Sequence, residues 1–136
     1  MNDKKWRIAL IGLGRQTLND HAPAILRRRD TEIVFASDVD EKARERFQAA
    51  LPNINAKISA DYHDLIDEKV DCVIIAIPHH EYAAACEFLC KQKIPFMKEK
   101  PLSRTLDEAI DFAEIPDFHK YCLPALNVDL IPYMLI

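Results

Sequence analysis

The sequence predicts an α/β fold: a doubly wound parallel sheet of the Rossmann type, with helices on both faces in three αβα layers. Strand-like apolar runs alternate with helix-like segments, and the strands are almost continuously apolar, as in sheets that are buried on both faces. The only two glycines of the chain, Gly12 and Gly14, directly follow the first strand-like run. With 136 residues, 49% of them hydrophobic, the chain is long enough for one globular domain.

The order of elements follows from apolar periodicity and from residues that start or stop helices. Pro23 fits the first turn of a helix, which places the first helix start near Asn19 or Asp20. Asp40 is the predicted N-cap of the second helix. The predicted strands are 6–11, 32–37, 56–59, 70–77, 94–98 and 121–128, and the predicted helices are 20–29, 40–50, 61–67, 80–91 and 105–114.

Charge and composition argue against several function classes. The net charge is −4 and no basic stripe stands out, so nucleic acid is not an expected partner. The N-terminal apolar run is broken by Arg7 and is too short for a signal or a membrane span, so we expect a cytoplasmic protein with no membrane partner. The cysteines lack C-x-x-C pairs and are expected to be buried free thiols and not a metal site; they are Cys72, Cys86, Cys90 and Cys122.

The segment that follows the first strand reads G-x-G-x-x-T, from Gly12 to Thr17. The first glycine makes the turn, and the second lets backbone amides and the next helix N-terminus approach a pyrophosphate. Asp38, at the end of the second strand, can accept hydrogen bonds from both ribose hydroxyls of an adenosine and would repel a 2′-phosphate, which favours NAD over NADP. Two alternatives stay open for the loop alone: a tight turn without a ligand, and the S-adenosylmethionine site of a methyltransferase.

A second group of charged residues, Lys98-Glu99-Lys100-Pro101, ends the fifth strand. With the G-x-G loop, Glu99-Lys100-Pro101 resembles the N-terminal NAD(P)-binding domain of the Gfo/Idh/MocA oxidoreductases, which include glucose–fructose oxidoreductase and inositol dehydrogenase. The resemblance runs nearly end to end: 62–66 matches the family's Y-x-x-L-L helix, 70–76 matches V-D-x-V-x-I-A, and 102–109 matches the segment after the lysine. Methyltransferases do not share these motifs.

The resemblance implies roles for the residues at both places. Those implied for the pyrophosphate are Gly12, Gly14, Arg15 and Gln16, and Asp38 would hold the adenosine ribose. Pro78 and His79 would line the nicotinamide side, and Glu99 would contact the nicotinamide ribose region. Lys100 would be the catalytic lysine, whose ammonium hydrogen-bonds the substrate hydroxyl at the carbon that exchanges hydride.

The chain departs from the family pattern in three places. Ile77 stands where the family has a Thr before the proline of the fourth strand. Tyr82 stands where the family has a His, so the histidine role does not transfer; Tyr82 is kept as a cofactor-binding candidate that packs on a ribose or hydrogen-bonds to it. The segment from Gly14 to His21 is one residue longer than usual, which predicts a wider phosphate loop.

The family fold has a second domain that forms the substrate wall, so residues 1–128 are predicted as the Rossmann domain and 129–136 as an apolar start of that missing domain. We expect a shortened oxidoreductase that binds dinucleotide and takes a sugar or polyol only if a second domain is supplied. Two alternatives are an oxidoreductase that borrows a substrate domain from another chain, and a non-catalytic nucleotide-binding interaction module. The apolar tail is a candidate for self-association.

Overall fold

The computed structural model describes residues 4–124, whose six strands form one parallel sheet in the order β3-β2-β1-β4-β5-β6 with flanking helices. This arrangement confirms the predicted Rossmann-type α/β class. The strands are β1 (Trp6–Ile11), β2 (Thr31–Ser37), β3 (Lys57–Ser59), β4 (Cys72–Ile75), β5 (Phe96–Lys98) and β6 (Cys122–Pro124). The α-helices are α1 (Ala22–Leu26), α2 (Glu41–Ala50), α3 (Tyr82–Lys91), α4 (Leu106–Glu114) and α5 (Phe118–Tyr121).

The first helix, predicted at 20–29, starts earlier and ends earlier than predicted, at Leu26. A π-helical turn, Thr17–His21, leads directly into α1, and the N–H of Ala22 donates to the Thr17 carbonyl five residues back. Pro23 lies in the first turn of the α-helical part, as the sequence indicates, but the helical chain already begins upstream of it. A π turn takes up more residues than an α turn, so this turn can accommodate additional length before His21 within the helix.

Two strands, β4 and β5, begin two residues later than predicted, and β4 also ends two residues earlier, at Ile75. Asp71 is drawn to β1, where its carboxylate accepts from the Arg7 N–H at 2.8 Å and its own N–H donates to the Arg7 carbonyl at 2.8 Å, and β4 begins only at Cys72. Ile94 belongs to the end of α3, since its N–H donates to the Leu89 carbonyl at 3.0 Å. Pro95 has no N–H to give to the sheet, and β5 therefore begins at Phe96.

The C-terminal prediction is only partly within the described residues. The strand predicted at 121–128 is observed as β6 from Cys122, and the residue before it closes the short helix α5, which the sequence reading missed. The proposed domain boundary at 128 and the apolar tail at 129–136 lie outside the described part. No helix between residues 4 and 124 is long and apolar enough to cross a membrane.

The described residues divide into two compact units that meet in sequence between Ile77 and Pro78. In the first, β1, β2 and β4 bury their apolar side chains, and Phe47 of α2 and Leu65 are fully buried. In the second, Phe112 and Phe118 stack with ring centroids 5.4 Å apart. Each fully buried side chain of this kind stabilises its unit by about 1.5–3 kcal/mol.

The cysteines are free thiols, as predicted: Cys86, Cys90 and Cys122 are buried and Cys72 is half-buried. Burial raises the pKa of Cys86 and of Cys122 to about 12 and that of Cys72 to about 11. Since the thiolate is the reactive form, these groups act as small apolar side chains at neutral pH.

Candidate dinucleotide-binding site

The loop between β1 and the π turn is built around two glycines with different structural reasons. Gly12 has φ +93°, and a Cβ added there would overlap the carbonyl of Ala76, so only glycine fits the backbone. Gly14 is different, because an added Cβ would meet no atom of the described structure within 4 Å. The fold explains the first glycine, whereas the space at the second is open to a ligand.

Thr17 fixes this loop against the helix that follows. Its hydroxyl is buried and donates to the Gly12 carbonyl at 2.6 Å. The Gly14 carbonyl accepts from the Leu18 N–H at 3.1 Å, so the helix begins directly at the second glycine. Arg15 and Gln16 are exposed in the first helical residues, and the Gln16 amide donates to Asp20 at 3.1 Å. The loop therefore presents the exposed start of a helix, where backbone N–H groups attract anions.

Asp38 connects the end of β2 to this loop. Its Oδ2 accepts from the Leu13 N–H at 2.8 Å, and its Oδ1 accepts from the Asp40 N–H at 2.9 Å. The N-cap of α2 is Asp40, as predicted, whose side chain accepts from the Lys42 N–H at 3.1 Å. A carboxylate has about four acceptor positions, so Asp38 retains acceptor capacity for hydroxyl donors.

The remaining predicted site residues lie in the second unit. Pro78 precedes a 3₁₀ turn, His79–Glu81, and the half-buried His79 ring lies 6.0 Å from the Tyr82 ring. Tyr82 is only 3% exposed and begins α3. Glu99 and Lys100 follow β5, and the Lys100 N–H donates to a Glu99 carboxylate oxygen at 3.3 Å. The side chain of Lys100 is exposed, while Glu99 is half-buried.

Sequence reasoning gave no role to Lys98, the last residue of β5, and the structure shows it to be 1% exposed. Its ammonium donates to the Pro101 carbonyl at 3.0 Å and lies 4.1 Å from the centre of the Tyr82 ring and 5.1 Å from that of Phe112. Burial lowers the pKa of Lys98. The ring of Tyr82 is thus engaged by a lysine of its own unit.

Lys98 and Lys100 have different environments although only one residue separates them. The first is enclosed by aromatic rings and holds the turn that contains Pro101, whereas the second extends into solvent beyond the end of β5. A signal was present in the sequence, because Lys98 continues the apolar run Phe96-Met97. Its aromatic neighbours come from α3 and α4, however, and strand periodicity does not indicate them.

Comparison with known proteins decides the family. The family profile described as the Gfo/Idh/MocA oxidoreductase family, NAD-binding Rossmann fold, matches residues 6–122. The chain belongs to the Gfo/Idh/MocA oxidoreductase family. It covers the family's NAD-binding part, and the resemblance read from the Glu99-Lys100-Pro101 motif is confirmed.

Individual members of the Gfo/Idh/MocA family are similar over most of the chain. Inositol 2-dehydrogenase of Mycolicibacterium smegmatis is 28% identical over 109 residues, which are 77% of this chain and 30% of that protein. The structure of a Gfo/Idh/MocA oxidoreductase from Vibrio cholerae superposes with TM-score 0.79 at 24% identity, covering 94% of this chain and 40% of the other. The WlbA dehydrogenase of Bordetella pertussis, solved in complex with NADH and UDP-GlcNAcA, gives TM-score 0.72 at 23% identity, covering 86% and 34%. The chain thus spans about a quarter to a third of the length of its curated relatives.

Proposed function

We propose that this chain binds NAD, with the pyrophosphate at the Gly12–Gln16 loop and the adenosine ribose at Asp38. The observation that carries the proposal is the open space at Gly14, directly at the exposed start of a helix. A glycine that the backbone does not require is explained when a ligand must approach the main chain closely. The relative from Bordetella pertussis, which was solved with NADH, supports the same assignment.

The carboxylate of Asp38 is the basis for NAD in preference to NADP. Leu13 and Asp40 N–H groups fix its two oxygens, so the negative charge stays at the end of β2. Ribose hydroxyls can donate to the remaining acceptor positions, while a 2′-phosphate would bring a second negative charge to the same place. Arg44 donates to the main-chain carbonyl of Asp38 at 2.7 Å and does not pair with its carboxylate.

The proposal extends to hydride transfer between a nicotinamide cofactor and the hydroxyl carbon of a sugar-like or polyol-like substrate. NAD supplies the hydride acceptor when it is bound. Pro78, His79 and Glu99 are the proposed contacts on the nicotinamide side. Lys100 is the proposed catalytic residue: its exposed side chain would hydrogen-bond the substrate oxygen and stabilise negative charge that develops there. In the oxidation direction its neutral amine would take the hydroxyl proton, and in the reduction direction its ammonium would donate a proton to the carbonyl oxygen. Turnover also requires a protein surface that holds the substrate against the nicotinamide, and the second domain of the family fold would supply it.

Calorimetric titration of the purified chain with NAD and with NADP tests the binding proposal. We expect NAD to bind, NADP to bind at least about tenfold more weakly because of charge repulsion at Asp38, and Gly14→Trp to abolish binding by filling the open space. Asp38→Ala should weaken the binding of NAD and reduce the difference in affinity between NAD and NADP. Glu45→Ala, on the exposed face of α2, is the matched control and should bind like the parent chain.

Absence of NAD binding by a folded chain, or an unchanged affinity in Gly14→Trp, would contradict the proposal. The first outcome would favour use of this fold as an interaction module. The catalytic part is tested separately, by following NADH absorbance with inositol or glucose as substrate in the parent chain and in Lys100→Ala. Equal turnover in the two would remove Lys100 from the chemistry, while NAD binding without turnover would restrict the chain to dinucleotide binding.

A further inference from the structure

A cleft of about 560 Å³ lies in the first unit at the amino ends of the strands, away from the loop that follows β1. One wall is the outer edge of β2 from Thr31 to Val34, and the other wall includes the segment 53–55 before β3. Its volume is in the range of ligand sites, and it uses none of the residues proposed for NAD. This cleft is therefore separate from the residues proposed to bind NAD.

The outer edge of β2 lacks a neighbouring strand in this cleft. β3 pairs only with the last part of β2, beginning at the Phe35–Lys57 pair. On the inner side, the Trp6 N–H donates to the Asp30 carbonyl at 2.7 Å, so the main-chain groups of alternate residues from Asp30 turn toward β1. By strand alternation, Thr31 and Ile33 turn their N–H and C=O groups toward the cleft. A row of main-chain donors and acceptors thus lines one wall.

A bulge separates this open part of β2 from the part that pairs with β3. The register with β1 runs from Ile8–Ile33 to Ala9–Phe35, which leaves Val34 as an additional residue in β2. A bulge bends its strand and increases the local twist. The register shift falls directly before Phe35, where β3 begins to pair. The bulge therefore lies where the open part of β2 ends and the part paired with β3 begins.

The charges that line the cleft are unequally compensated. Arg7 forms ion pairs with Glu32 at 3.3 Å and Glu68 at 3.9 Å, so these two carboxylates are used within the protein. Lys5 and Lys57 are exposed, and no acidic side chain in residues 4–124 forms an ion pair with either of them. Four cationic and two acidic side chains line the cleft, and one of the cations, Arg28, pairs with Asp30 at 2.7 Å, so the lining favours an anionic occupant.

The two lysines also indicate the shape of the occupant. Lys5 precedes the Trp6–Thr31 pair, and Lys57 is level with Phe35. Both lysines line the cleft, Lys5 on the β1 side of β2 and Lys57 at the start of β3, so they flank the open part of β2, which is roughly 13 Å long at 3.3 Å per residue. An extended peptide can pair with the main chain along this length and place an acidic side chain near each lysine.

We propose that this cleft, between Thr31–Val34 and Asn53–Asn55, binds an extended peptide segment of a partner protein with an acidic side chain near each end. The segment adds to the outer edge of β2 as a strand. Thr31 and Ile33 supply main-chain hydrogen bonds, and Lys5 and Lys57 select the acidic ends. The competing explanation is that the bulge and the lysines keep the edge from pairing with any other strand.

The probe is the capped peptide Glu-Val-Thr-Val-Glu, compared with Lys-Val-Thr-Val-Lys, titrated into the isotope-labelled chain and followed by NMR of the backbone amides. We expect the acidic peptide to shift the amides of Thr31, Ile33 and Asn55, and to bind at least about tenfold more tightly than the basic one at low salt. The double variant Lys5→Glu with Lys57→Glu should reverse this preference. Lys91→Glu, on α3 and outside the cleft, should keep it.

Three outcomes would overturn the proposal. If the amide chemical shifts do not change at millimolar peptide, the bulge and the lysines serve only to prevent pairing with another strand. Equal binding of both peptides, or a preference that survives the double charge reversal, would remove the lysines from recognition. The same shifts produced by free acetate or inorganic phosphate would identify a small-anion site. NAD titration of the double variant should match that of the parent chain, which separates this test from the one on the dinucleotide.

Discussion

Replacement of Lys98 by methionine should change how the stability of the protein depends on pH. The ammonium is 1% exposed and is partly compensated by the Pro101 carbonyl and the rings of Tyr82 and Phe112. Its pKa is nevertheless lower than the ordinary value of 10.5, with burial as the largest cause. The loss of hydration therefore outweighs the new contacts, and the charged form destabilises the folded state relative to the neutral form.

The sign and size of the effect follow from proton linkage. Between the lowered pKa and 10.5 the unfolded chain binds more protons at Lys98 than the folded chain, so this residue makes stability rise with pH in that interval. Each pKa unit corresponds to about 1.4 kcal/mol in the free energy of unfolding. Cys86 and Cys122 act in the opposite direction, because their raised pKa values make stability fall as pH rises above about 9. Lys98 also lowers the pKa of both thiols, so the difference between Lys98→Met and the parent chain reports on the lysine alone below about pH 9, where the thiols are protonated in the folded and the unfolded chain.

The assay is urea unfolding followed by far-ultraviolet circular dichroism at several pH values from 7 to 10.5. We expect the stability of Lys98→Met relative to the parent to be greatest near pH 7 and to decline by about 1.4 kcal/mol per unit of pKa shift as the pH approaches 10.5. Lys91→Met is the control, since its ammonium is exposed and pairs with Glu87 at 3.4 Å. A pH-independent difference for Lys98→Met would refute the reasoning, because it would mean that burial does not penalise the charge.

Two further predictions concern the phosphate loop and the turn before α4. Gly12→Ala should lower the free energy of unfolding by at least about 2 kcal/mol, because Gly12 has φ +93° and an added Cβ would overlap Ala76. Gly14→Ala should lower it by less than about 1 kcal/mol. Equal losses of stability in calorimetry would contradict the different structural reasons for these two glycines. Hydrogen bonds from Arg104 lower the pKa of Glu108 to about 2, so the pair should stabilise the fold above the ordinary glutamate pKa of 4.5 and lose this contribution as the pH falls toward 2. Glu108→Gln should reduce this loss of stability at acid pH. An acid unfolding profile that does not change in the variant would contradict the prediction.

The predictable part of the fold is the part that depends on local pattern. The apolar runs of β1 and β2 and the capping of α2 by Asp40 follow from neighbouring residues, and the structure confirms them. The start of β4 was not predictable in the same way, because Asp71 continues the strand pattern in sequence but binds Arg7, which is distant in sequence. The π turn could not be predicted, since the residues before Pro23 carry no signal that distinguishes hydrogen bonds to the fifth preceding residue from those to the fourth.

The candidate site shows the same division between local and distant information. The glycines and Asp38 are recognisable because their spacing along one strand–helix–strand unit, β1–α1–β2, is typical of dinucleotide-binding folds. Lys98 was not, since its burial depends on side chains that two different helices contribute. Tyr82, which stands where the resemblance leads us to expect a histidine, makes a contact within the protein, because its ring covers the Lys98 ammonium.

The hydrogen bond between Leu13 and Asp38 has a consequence for how a dinucleotide would bind. It joins the phosphate loop to the end of β2, and Thr17 fixes the same loop from the helix side through the Gly12 carbonyl. A loop held at both ends loses little conformational freedom on binding, so more of the interaction energy is available as affinity. In the proposed binding mode Asp38 would therefore act in two ways, as an acceptor for ribose hydroxyls and as a support for the loop proposed to bind the pyrophosphate. For this reason Asp38→Ala should weaken NAD more than the loss of ribose hydrogen bonds alone explains, and it should also weaken a nicotinamide mononucleotide–phosphate fragment that lacks the adenosine ribose.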